Sequence, residues 1–86
     1  MESGRATLGE ARLIMNRVRL RLNAFDRWIV VDAADESKAW SGSRFVPITP
    51  EGFPASDVQV SNLGTREDAA EYAANFGFNV VDTVVN

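Results

Sequence analysis

The chain has no cysteine and no histidine, one lysine and one tyrosine. Without cysteine there are no disulfides and no thiolate nucleophile. Without histidine there is no Ser-His-Asp arrangement and no imidazole acid or base near neutral pH. The nitrogen and sulfur ligands that zinc, copper and iron–sulfur sites prefer are missing together. Lys38, Tyr72 and the carboxylates are left, which is little material for an active site. The expectation is a protein without enzymatic activity, metal or cofactor.

Long apolar runs are also missing. The longest is Trp28-Ile29-Val30-Val31, far short of the ~20 residues of a membrane-spanning helix. Met1-Glu2-Ser3-Gly4-Arg5 leads into no apolar segment of the signal-peptide kind. The expected location is therefore cytoplasmic, with no membrane insertion.

What is present reads as globular. The 86 residues suit a single domain, and 45% of them are apolar. Residues 1–6 read as a flexible lead. Charge is unevenly spread. Residues 1–28 carry six arginines against three acids, whereas residues 29–86 carry nine acids against three basic residues. The net charge is −3, so an acidic chain has a basic N-terminal third.

Thr7-Leu8-Gly9-Glu10 has the form of a capping box, and Leu8, Ala11, Met15, Val18 and Leu22 follow at helical spacing. Val18-Arg19-Leu20-Arg21-Leu22 also alternates, which is a strand signal. A helix from about Thr7 is favoured, with its far end near Val18 open between the two. Arg27 to Ala33 is β-branched and aromatic, a strand buried on both faces. Ala33-Ala34-Asp35-Glu36 fits a short helical turn, and Trp40-Ser41-Gly42-Ser43 a loop. Arg44-Phe45-Val46 reads as a short strand ended by Pro47. Thr49 to Pro54 is turn-rich, and Val58 to Leu63 alternates as a strand.

The best-punctuated element starts at Thr65. This residue is an N-cap, Glu67 and Asp68 sit at the positive end of the helix dipole, and Gly77 is a natural left-handed stop. Asn79 to Val85 is a final strand whose Val81, Val84 and Val85 suggest an exposed edge. The sum is an α+β domain of three to four strands packed with two helices. In it Val58–Leu63, the helix and Val80–Val85 form a βαβ-like unit.

Three sets of side chains are candidates for function. Arg12, Arg17, Arg19 and Arg21 form a basic cluster able to meet phosphate or an acidic partner. Trp40 and Phe53 fall in stretches read as loops, where large aromatics serve as interface anchors. Asp32, Asp35 and Glu36 lack the spacing of a calcium loop and read as solvated charge.

Residues 28–81 resemble the small accessory subunit of respiratory complex I, the NADH dehydrogenase iron–sulfur protein 4 family. The resemblance rests on Trp28-Ile29-Val30-Val31, on Gly52-Phe53-Pro54-Ala55-Ser56-Asp57, and on the ungapped run from Thr65 to Phe78. Phe53 stands where the family usually has Trp. The resemblance implies a non-catalytic subunit clamped onto the peripheral arm of a membrane-bound oxidoreductase. Two other classes fit the same residues. One is a small acidic phage or mobile-element regulator, an inhibitor that blocks a host or defence complex. The other is a nucleic-acid binder working through the N-terminal arginines. The expected partner is a protein or a multi-subunit complex.

Overall fold

Residues 16–83 are described by a computed structural model. They form five strands and one helix: β1 (Arg17–Leu22), β2 (Trp28–Asp32), β3 (Asp35–Trp40), β4 (Phe45–Pro47), α1 (Arg66–Asn75) and β5 (Asn79–Thr83). The architecture is α+β, with more strands than the sequence pattern suggests. The expected N-terminal helix lies largely outside the described residues. Where it reaches them, the alternation at Val18–Leu22 prevails and the segment is β1.

The sheet order is β4-β3-β2-β1-β5. The β1–β2, β2–β3 and β3–β4 pairs are antiparallel, whereas β5 lies parallel to β1. This overturns the βαβ-like unit. Val58–Leu63 is no strand; it joins the sheet at a single bridge between Leu63 and Trp28. The chain leaves β4 at one edge, crosses the sheet through the loop and α1, and arrives at the opposite edge. The crossover therefore ends beside β1, near the other end of the described chain.

β2 lies at the centre of the sheet and is buried on both faces, as its unbroken apolar run requires. Val30 joins Val18, Leu20, Ala69 and Ala73 beneath the helix. Ile29 and Val31 join Ala39, Val46, Ile48 and Val60 on the other face, where the 48–60 loop takes the place of a second helix. Sheet periodicity then assigns Arg17, Arg19 and Arg21 to the loop-covered face, since Val18 and Leu20 between them face α1.

β3 is the other correction. The helical turn expected over Ala33-Ala34-Asp35-Glu36 is not formed: from Asp35 on, the chain is a strand, although Asp35-Glu36-Ser37-Lys38 is exposed and poor in β-formers. It is extended because Ala33-Ala34 closes a turn after β2 in which the Asp32 carboxylate accepts from the Ala34 amide at 2.9 Å. The strand bulges against β2 and ends at Trp40, which is therefore a strand residue and not a loop residue.

α1 follows its punctuation closely. Thr65 is extended and accepts from the Asp68 amide. At the other end Gly77 has φ 83°, and the amides of Gly77 and Phe78 donate back to the carbonyls of Ala74 and Ala73. These two bonds are a Schellman motif, and they turn Phe78 back over the helix.

Candidate functional site

The arginines of β1 do not form one free basic row. Arg19 pairs with Glu36 of β3 at 2.9 Å. Arg21 donates to the carbonyl of Pro50, fastening the covering loop to the strand. Both are half-buried, their stems lying across Val31 and Ile29 in the strand register. Arg17 is exposed at the start of the strand. Arg12 lies outside the described residues, as do Val84 and Val85.

Trp40 sits at the centre of an aromatic cluster on the helix side. Its ring centroid is 5.1 Å from Phe45, 5.2 Å from Phe76 and 4.8 Å from Phe78, all edge-on. Tyr72 extends the group through Phe76 and places its hydroxyl 2.6 Å from that of Ser61. The Trp40 indole N–H is buried and meets no acceptor among the described residues. An orphaned donor destabilises, so the ring holds its position through packing.

Phe53 has a different setting. It packs on Phe25 at 4.9 Å, on the opposite face of the sheet from Trp40. Phe25 is 76% exposed, the most exposed large apolar side chain among the described residues. It stands in the β1–β2 turn and is not among the residues singled out from the sequence. The one available signal is a large aromatic inside a turn signature, Asn23-Ala24-Phe25-Asp26, where solvent is the default surrounding.

This turn is held from several sides. The Asn23 side-chain oxygen accepts from the amides of Phe25 at 2.8 Å and Arg27 at 3.0 Å. Asp26 takes the left-handed conformation, φ 63°, which Asp tolerates better than most residues. The Ala24 amide donates to the Glu51 carbonyl at 3.0 Å, tying turn to loop. Gly52 lies so close beneath that a Cβ there would stand 2.8 Å from the Asn23 Cβ. Phe25 is thus displayed on a fixed mount.

Beside the two rings is a cleft of about 270 Å³. The buried Ile29 and Val60 form its apolar floor, and Phe25, Phe53 and Pro54 line it together with the polar Asn23, Arg27, Gln59 and Asn62. Arg27 donates from Nε to the Asn62 side-chain oxygen at 2.9 Å. A second cleft, about 430 Å³, lies at the other end of β1 against Arg17, Arg19 and Asp32. Its described walls offer only alanine as apolar surface.

The chain matches no family model, no curated protein and no solved structure.

The acidic residues of the β2–β3 turn are occupied locally. Asp32 caps its turn, Glu36 meets Arg19, and Asp35 accepts from the Ser37 hydroxyl and amide. Those two bonds, the hydroxyl first, hold the Asp35 carboxyl below its ordinary value. Among the described residues no group of three or more Asp or Glu side chains is arranged to hold a metal ion. Nor is any helix among them long and apolar enough to cross a membrane.

Proposed function

We propose that this chain is a non-enzymatic protein-interaction domain, an accessory or assembly subunit of a larger complex, and that it binds through Phe25, Phe53 and the cleft beside them. The observation that carries this reading is an exposed phenyl ring on a rigid mount. A single exposed apolar residue is ordinary on a protein surface. An aromatic ring held by side-chain and backbone bonds, backed by a second ring and bordering an apolar cleft, is an interface anchor in form. The backbone of its turn is already held, so less backbone freedom is lost on association. The resemblance of residues 28–81 to an accessory-subunit family supports the same role.

The test is retention of partners by the tagged full chain from the source cell. Wild type and a Phe76→Ser variant, altered on the helix side, are expected to retain the same stoichiometric protein set. Phe25→Ser and Phe53→Ser lose it. Retention of that set by both of the latter variants, each shown to be folded, would sink the assignment of the surface. Recovery of the wild-type chain as a lone monomer with turnover of a substrate would sink the interaction reading itself.

A further inference from the structure

Three features of the Phe25 cleft bear on what enters it. The first is its size. About 270 Å³ lies below the ~300–1,000 Å³ of small-molecule pockets but admits one or two side chains. The second is its floor, Ile29 and Val60, buried to 1% and 6% exposure. Neither side chain of that floor offers a hydrogen-bond partner, so the part of the entering group that meets it is apolar, and the polar lining, Asn23, Arg27, Gln59 and Asn62, is left for polar atoms beside it.

The third is Arg27. Asn62 holds its Nε and so fixes the plane of the guanidinium. The side chain is exposed, and no carboxylate pairs with it among the described residues. Its terminal nitrogens are left as a planar pair of donors on the rim of an apolar cleft. That geometry matches a carboxylate, which takes two parallel N–H bonds from such a fork. The surrounding charge on this face is mixed: Arg19 is paired with Glu36, and Asp26, Glu51 and Asp57 stand exposed in the turn and the covering loop. The Arg27 fork itself therefore selects the acid.

We infer that the cleft takes an apolar side chain flanked by a carboxylate, presented by an acidic segment of the protein partner. This deepens the interaction reading above and rests on it. Phe25 and the floor supply the apolar contact, and Arg27, positioned by Asn62, receives the acid.

The test uses the full chain as bait for a displayed library of random short peptides, followed by affinity measurements on the enriched sequences. The expected result is enrichment of Asp or Glu next to Leu, Ile or Phe. Binding of such a peptide falls roughly tenfold on Arg27→Gln, the scale of one charge-assisted contact. It is lost on Phe25→Ser and unchanged on Arg17→Gln, which removes an equal charge at the far end of β1. Replacing the peptide's acid by its amide reads the same contact without altering the protein, and is expected to cause a similar loss. Peptides that need Phe25 but show no acidic enrichment, or that bind amide and acid alike, overturn the inferred chemistry and leave the interaction surface standing. Peptides that ignore Phe25→Ser, or no enrichment at all, overturn both.

Discussion

The two faces of the sheet use aromatic side chains in opposite ways. On the helix side, Trp40 meets Phe45, Phe76 and Phe78 edge-on and Tyr72 meets Phe76, and this cluster packs against the alanines of α1, with Phe76 at its margin 43% exposed. On the loop side, Phe25 and Phe53 touch only each other as rings, and Phe25 stands in solvent. Ring type does not separate the groups, since each contains phenylalanine. The difference lies in the backbone beneath. Paired strands and a capped helix converge on the first group, whereas two loops pinned by hydrogen bonds raise the second. Aromatic area stabilises the fold where elements close over it and is available for binding where loops hold it outward.

The comparison breaks most readily at Trp40. Trp40→Ala removes the ring that joins Phe45, Phe76 and Phe78, and is expected to lower stability by about 3 kcal/mol or more. For a domain of this size that is a large part of the total. Urea unfolding followed by circular dichroism measures it, and a loss under ~1 kcal/mol would remove the cluster from the core. Phe25→Ala is the counterpart. Partner affinity should fall by about 2 kcal/mol or more, with stability within ~0.5 kcal/mol of wild type. A stability loss as large as that of Trp40→Ala would erase the contrast between the faces.

Two glycines sharpen the same contrast. Gly52 and Gly77 both have positive φ, 89° and 83°. An added Cβ meets Asn23 at Gly52 and nothing within 4 Å at Gly77. Gly52→Ala therefore combines backbone strain with a clash beneath the Phe25 turn, and is expected to cost about 2–3 kcal/mol. Gly77→Ala carries the conformational penalty alone, about 1 kcal/mol. Equal unfolding midpoints for the two variants would mean that the turn and loop are not packed as tightly as their geometry indicates. Thr65→Ala removes the cap that accepts from Asp68, and should lower stability by about 1 kcal/mol without affecting partner binding.

The smallest effect is at Asp35. Its carboxyl is held below the ordinary value, so its contribution is present at pH values above the unfolded pKa. It is lost as pH falls through the lower, folded pKa. Ser37→Ala removes the hydroxyl bond and keeps the amide bond, so the carboxyl should move part of the way back up. A carboxyl-carbon NMR titration of both proteins reads the shift, and no upward movement would show the hydroxyl to be a bystander.

Legibility in the sequence varied from element to element. Thr65 to Phe78 was readable because capping is local: each bond joins residues three to five apart. The two-sided burial of β2 was readable because four consecutive apolar residues leave no face for water. Asp35 to Lys38 was not, since its extended form comes from neighbours on either side and not from its own side chains. Of the candidate site residues, Phe53 joins the proposed surface and Arg21 fastens its loop. Trp40 goes to the opposite face, and Phe25 and Arg27 were missed because their significance depends on Asn62 and the 49–53 loop, distant in sequence.

The sequence by itself determined the helix and its two ends, the central strand and the scarcity of groups suited to catalysis. These follow from side-chain chemistry and from interactions within a turn or two of chain. Only the tertiary structure decided that β5 lies beside β1, that α1 covers one face and a loop the other, and that Phe25 is displayed while Trp40 is half-buried among other rings. Each of these depends on which distant segments share a surface. Strand order and burial are set by the joint packing of all the apolar faces, which no local pattern encodes.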